Sequence, residues 1–280
     1  MKRYSVLAIL AITSLLFAAC TPADTGSGTF EAPGVVATEV PPPPDPNDLG
    51  GISINVAVEN AYPPYNYIDE ATNEAVGWDY DAVRAMCELL NCVPVFVEAA
   101  WDGIFEATAA GEYDMVADGV TCSGADGVAR REVIDFSIVY GSSVQVIVVR
   151  SEETTIVDEA SLTASDAIVG TQIGTTNETK AIELVGEDRV LSFDTFDLPI
   201  TALIAGDVDA VVMDGSAAEG FLAQNPDDIM ILPEPITGSE EFCFVFQQGS
   251  DLVAPFDYAI ETLEADGTLA TLEAKWWPED

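Results

Sequence analysis

The sequence predicts an α/β protein of two similar lobes with mostly parallel sheets, and three observations carry that prediction. From Ile52 onward, short apolar strands alternate with helical stretches, the pattern of parallel strands covered by helices. A half-unit recurs: Ala110-Gly111-Glu112-Tyr113-Asp114 runs through an apolar stretch to Asp118-Gly119, and Ala205-Gly206-Asp207-Val208-Asp209 runs likewise to Asp214-Gly215. Finally, 280 residues at 49% hydrophobic content can bury a core in each of two lobes.

In chain order, Ile52–Val58 reads as a strand, Asp81–Leu90 has helical spacing, and Val93–Val97 is again a strand. Phe105–Ala110 continues as helix and Met115–Ala117 as a short strand. In each copy of the half-unit a helix ends at a glycine turn, a strand follows, and an Asp stands at its carboxyl end. Ligands of open α/β sheets bind off those ends, so Asp118 and Asp214 are expected to face one crevice between two closing lobes. Gly111 and Gly206 are assigned to turns, Asp114 and Asp209 to local hydrogen bonds.

The N-terminus stands apart from this pattern. Met1-Lys2-Arg3, the apolar run to Ala19 and the small pair Ala18-Ala19 form an export signal over residues 1–19, too short to span a bilayer. The residues before Cys20 resemble a bacterial lipobox, with Phe17 where Leu is usual. Cys20 is therefore expected to carry a lipid anchor, holding the body on the outer face of the cytoplasmic membrane or in the periplasm. Residues 20–50, rich in Pro, Gly, Thr and acids, read as a disordered tether stiffened by Pro41–Pro44. Cys87, Cys92, Cys122 and Cys243 form an even set in an exported chain and read as disulfides. Cys87 and Cys92 are close enough for a local bridge, which leaves Cys122 with Cys243; other pairings stay open. The absence of a Cys-x-x-Cys pair argues against zinc.

Composition narrows the chemistry. Asp plus Glu number 49 against nine Lys plus Arg, a net charge of −40, and there is no histidine. Such a chain lacks the basic surface that nucleic acid or anionic lipid requires. Histidine triads, histidine-ligated zinc and imidazole relays are excluded. Neither cofactor nor metal is expected.

Several motifs follow one another along the body: Ala61-Tyr62-Pro63-Pro64-Tyr65, Val76-Gly77-Trp78-Asp79-Tyr80-Asp81, Trp101-Asp102-Gly103-Ile104, Gly111-Glu112-Tyr113-Asp114, Arg130 ahead of Asp135-Phe136-Ser137, and Ala265-Asp266-Gly267-Thr268-Leu269 before Lys275-Trp276-Trp277. In this order they resemble solute-binding protein family 3, the extracellular amino-acid-binding proteins of bacterial uptake systems. The resemblance covers about Ile52–Trp277. It implies a two-lobed type II periplasmic-binding-protein fold with two hinge crossovers, near Gly141–Val146 and Pro233–Ser239. Lobe one would comprise residues 51–143 plus 237–280, and lobe two residues 144–236.

The same resemblance assigns a site. A free amino acid needs a cation and an anion close together, and Arg supplies a planar fork for the carboxylate. Arg130 takes that role, Arg131 being read as a surface salt-bridge residue, although an insertion within Cys122–Val128 leaves the register between them open. Asp214 matches the ammonium partner, Thr175 and Thr176 the donors from lobe two, and Gly119 and Thr121 the strand-end contacts of lobe one. Tyr62 and Trp101 match two rings that sandwich the side chain. Glu59 matches a carboxylate for a distal cation, with Asp118 as a second acid, which favours arginine, lysine or ornithine over polar neutral amino acids. The implied partners are the free amino acid and an ABC permease with its ATPase, the protein itself being a monomer that meets the membrane by its lipid anchor only. The alternatives are a ligand-sensing module for a receptor and, less favoured, a dehydratase on the same fold.

Overall fold

The computed structural model describes residues 45–278. The predicted signal, Cys20 and the tether up to residue 44 lie outside the described residues. β1 (Ser53–Val58) leads into a meander of β2 (Ala61–Tyr62), β3 (Asn66–Asp69) and β4 (Glu74–Val76). Then come α1 (Trp78–Leu90), β5 (Val93–Glu98), α2 (Ile104–Ala109), β6 (Met115–Val116), α3 (Gly124–Arg130) and β7 (Ile134–Phe136). A first crossover holds β8 (Gly141–Ser143) and enters β9 (Gln145–Arg150), followed by α4 (Glu159–Ala164), β10 (Val169–Gln172), α5 (Thr176–Val185) and β11 (Val190–Phe193). Next are α6 (Leu198–Ala205), β12 (Ala210–Asp214), α7 (Gly215–Gln224) and β13 (Ile229–Ile231). The return crossover holds β14 (Glu240–Phe242), and the chain closes with β15 (Val245–Gln247), α8 (Val253–Ala265) and α9 (Thr268–Trp276).

Two five-stranded sheets result, ordered β5-β1-β6-β15-β7 and β11-β10-β12-β9-β13, and they share one layout: this is a two-lobed α/β fold. Each sheet is mostly parallel but contains one reversed strand, β15 or β9, antiparallel to both neighbours. Both reversed strands are the first after a crossover. A helix returns the chain to the far edge before each parallel strand, whereas a crossover delivers it at the hinge edge, so the next strand runs the other way. The crossovers themselves pair through β8 and β14, Gly141 opposite Phe242 and Ser143 opposite Glu240.

The repeated half-unit has a repeated job. Asp114 Oδ2 accepts the Asn55 N–H at 2.7 Å, and Asp209 Oδ2 accepts the Ile168 N–H at 2.9 Å. Each Asp thus anchors the start of the neighbouring parallel strand. Helix α1 buries Trp78, Ala82, Val83, Met86 and Leu90 at three- and four-residue spacing. Its entry needs Gly77, where φ is +140° and a Cβ would stand 2.0 Å from the Tyr65 carbonyl oxygen. Its exit turns on left-handed Asn91 and is closed by the Cys87–Cys92 disulfide. The second disulfide, Cys122–Cys243, joins positions 121 residues apart. In lobe one, Ala57, Ile104, Val116, Ile134 and Val245 pack together, and Ile54, Val56, Met86, Phe256 and Ile260 belong to a second cluster. In lobe two, Ile147, Val149, Leu162, Val169 and Val212 form another.

Candidate functional site

Loops leaving the carboxyl ends of β1, β5, β6, β10, β11 and β12 converge between the sheets around a crevice of about 310 Å³. All ten residues predicted to contact a ligand line it, from Glu59 behind β1 to Asp214 at the end of β12. Gln172, Asn177 and Phe196 line it too, and sequence reasoning passed over them. Gln172 is the last residue of β10, Phe196 lies three residues past β11 and Asn177 is in the first turn of α5, so the strand-end rule applied to β10 and β11 would have reached Gln172 and Phe196.

Arg130 ends α3, and the insertion noted in the sequence forms that helix, tied at its base by the Cys122 disulfide. The guanidinium is buried, with Nη1 donating to the Thr121 carbonyl at 2.8 Å and the group lying 4.9 Å from the Phe105 ring centroid and 5.5 Å from that of Trp101. Among the described residues no carboxylate comes within 4.0 Å of it. Burial lowers its pKa, while Asp126, Asp214 and Glu240 pull the other way. A buried cation without an ion-pair partner is costly until an anion arrives. Arg131 is exposed and absent from the crevice lining. Among the described residues the salt bridge expected of it is not formed; its Nη1 donates instead to the carbonyls of Cys122 at 2.6 Å and Gly127 at 3.3 Å. One acceptor lies just ahead of α3 and the other inside it, so the side chain folds back along the helix.

From lobe two, the N-terminus of α5 faces the same space. Thr175 caps it, its Oγ1 accepting from the Glu178 N–H at 3.1 Å and donating to the Gln172 carbonyl at 2.7 Å. Thr176 and Asn177 form the first turn, where N–H groups point out of the helix and favour an anion. Asp214 is held on both oxygens, by the Tyr62 hydroxyl at 2.7 Å and the Asn177 amide at 3.2 Å. Burial pushes its pKa up to about 6, against the hydrogen bonds from Tyr62 and Asn177.

Tyr62 stacks on Tyr65 with centroids 4.9 Å apart and meets Phe196 edge-on at 4.5 Å. Gly119 makes room for this ring: φ is +55°, and a Cβ would stand 2.3 Å from Tyr62 Cε1. Trp101 packs edge-on against Phe105 at 5.4 Å. Thr121 lines the crevice, its hydroxyl turned toward Glu240 at 3.4 Å and its carbonyl holding Arg130. At the far end, Glu59 accepts a hydrogen bond from Gln172, and Asp118 Oδ1 accepts from the Asn66 amide at 2.7 Å. Burial raises both carboxyl pKa values, and Asp118 raises Glu59 further. The Tyr62–Asp214 and Gln172–Glu59 bonds run from lobe to lobe, so the lobes are closed on one another.

The sequence profile of the bacterial extracellular solute-binding proteins, family 3, matches residues 54–279. The chain belongs to this family. A similar protein is the "Probable histidine-binding protein" of Campylobacter jejuni, 25% identical over 99% of both chains. Another is the "ABC transporter arginine-binding protein 1" of Escherichia coli, 25% identical over 81% of this chain and 91% of that one. A solved structure, "An ancestral arginine-binding protein bound to glutamine", superimposes with a TM-score of 0.74 at 30% identity, over 81% of this chain and 98% of that one.

Proposed function

We propose that this family 3 protein captures a free amino acid by closing its lobes and delivers it to an ABC permease driven by its ATPase. Arg130 and the N-terminus of α5 grip the carboxylate, Asp214 takes the ammonium, and Tyr62 and Trp101 flank the side chain, with Gly119, Thr121, Thr175 and Thr176 completing the walls. The observation that supports this most is one buried, unpaired guanidinium across a small crevice from a buried carboxylate, the charge pair a zwitterion needs. Beyond it lie Glu59 and Asp118, which among the described residues have no cation within 4.0 Å, and this favours an arginine, lysine or ornithine side chain. Closure is driven by contacts between the lobes and with the ligand that exist only when shut.

A neutral polar amino acid is the second reading. Protonated, Glu59 and Asp118 become hydrogen-bond donors able to hold an amide, and the related ancestral arginine-binding protein is described as bound to glutamine. Catalysis is not proposed, because the crevice groups suit gripping charge rather than moving protons onto a substrate, and the relatives named above are binding proteins. Cys20 is proposed as the lipid anchor of an extracytoplasmic body; among the described residues no helix is long and apolar enough to cross a membrane.

A thermal-shift screen of the mature protein against the free amino acids tests the reading. Linkage gives about 2.7 kcal/mol at a hundredfold excess over Kd, or roughly 5–10 °C for a body of this size. A shift with arginine, lysine or ornithine alone supports the cationic reading. A shift with glutamine or other neutral amino acids moves the proposal to the second reading, and no shift with any amino acid refutes both.

A further inference from the structure

Beneath the crevice floor a third acid, Asp79 in the first turn of α1, is completely buried. It meets Asp118 through one neutral group: the Asn66 amide nitrogen on β3 donates to Asp79 Oδ2 at 2.8 Å and to Asp118 Oδ1 at 2.7 Å. The amide's two protons go chiefly to the two carboxyl groups, the Ala117 carbonyl being a longer third contact at 3.4 Å, and among the described residues Asp79 Oδ1 and Asp118 Oδ2 have no partner. Among the described residues no Lys or Arg comes within 4.0 Å of these acids. Glu59 faces Asp118 from the end of β1, Tyr65 and Tyr140 lie near from the meander and the first crossover, and Gln172 and Asp197 face Glu59 from lobe two. Arg130 lines the same crevice, but the acids that act on it are Asp126, Asp214 and Glu240. Burial pushes the Asp79 pKa up to about 8 and raises Asp118 and Glu59 as well.

Ionising all three acids would bury adjacent like charges with one amide between them. We infer that Asp79, Asp118 and Glu59 hold protons while the crevice is free, and that the side-chain cation of a bound amino acid displaces one of them. The balance is simple. A neutral carboxyl on the crevice floor gives its proton to solvent, and the carboxylate left behind accepts the ligand's guanidinium or ammonium. Asp79, which does not line the crevice, acts through Asn66 by keeping Asp118 hard to ionise. This rests on the cationic reading above and adds that binding is proton-linked.

Calorimetry of the mature protein with arginine at pH 6.5, in phosphate and in imidazole, reads the released proton as a buffer-dependent enthalpy. About one proton is expected per arginine, with affinity rising up to tenfold per pH unit across the acidic side of the titration. Asp79→Asn should reduce the proton count while arginine still binds; an enthalpy independent of buffer with intact binding overturns the inference and leaves the amino-acid reading standing. Infrared spectra of the free protein give a second reading that needs no ligand. A protonated-carboxyl band at pH 6.5 that weakens in Asp79→Asn and Asp118→Asn supports stored protons, and the absence of such a band refutes them whatever amino acid binds.

Discussion

Gly119→Ala is expected to unlatch the crevice while leaving the fold in place. A Cβ at residue 119 would stand 2.3 Å from Tyr62 Cε1 and 3.0 Å from its hydroxyl oxygen, against an ordinary contact of 3.4 Å or more. The ring must retreat by about 1 Å, which breaks the 2.7 Å bond from Tyr62 to Asp214 across the lobes. A hydrogen bond to a charged acceptor is worth about 1.5–3 kcal/mol, so ligand affinity should fall roughly ten- to a hundredfold. The left-handed backbone at residue 119 adds about 1–2 kcal/mol of strain in open and closed forms alike, and this lowers stability without touching the closure equilibrium. Calorimetry with the amino acid found by thermal shift measures the affinity, and small-angle scattering measures closure. Tyr62→Phe isolates the hydroxyl: it should weaken binding to a similar degree with little loss of stability. Binding within about twofold of wild type in both variants would refute the latch. Weak binding in Gly119→Ala with normal binding in Tyr62→Phe would assign the loss to ring displacement instead.

Arg130→Ala should cost about 3–5 kcal/mol of binding, because the ligand carboxylate would be buried without its cation, whereas Arg131→Ala should leave Kd within about twofold; the reverse result would move the carboxylate site. The free protein should be less stable at pH 9 than at pH 5. Burial pushes the Asp79 and Asp214 pKa values up to about 8 and about 6 from an ordinary 3.8, so the folded state binds more protons than the unfolded one across that window and loses stability as pH rises through it. Thermal melts of Asp79→Asn should show a flatter pH dependence, and an unchanged profile would remove Asp79 from the account. Replacing Cys122 and Cys243 together by Ser opens a 121-residue loop and should lower stability by about 3–5 kcal/mol in urea titrations; a loss under 1 kcal/mol would show that the bridge does not constrain the unfolded chain.

The fold was legible because its signals are local. Strand and helix periodicities are written within ten or so residues, and the repeated half-unit announced that the two lobes share a plan, down to Asp114 and Asp209 each accepting a backbone N–H near the start of the neighbouring strand. Part of the crevice lining was legible for a related reason: in parallel sheets the carboxyl ends of strands gather on one side, which pointed to Asp118 and Asp214, whereas the other eight predicted residues came from the family resemblance. The reversed strands β9 and β15 were not legible. Their direction depends on where each crossover delivers the chain, and no local pattern records that.

Sequence by itself therefore determined the α/β class, the two-lobed plan, the family resemblance and which loops would face the crevice. Tertiary structure decided how those loops engage one another. Arg130 and Arg131 are adjacent in sequence, and only the turn of α3 against Trp101 and Phe105 sends one inward and leaves the other bonded to carbonyls outside. The latch joins Tyr62 to Asp214 across 152 residues, and Asn66 shares its amide between Asp79 and Asp118, 13 and 52 residues away. Such contacts depend on both sheets being packed and closed at once, because a hydrogen bond acts over about 3 Å and its partners here are brought together only by the finished fold.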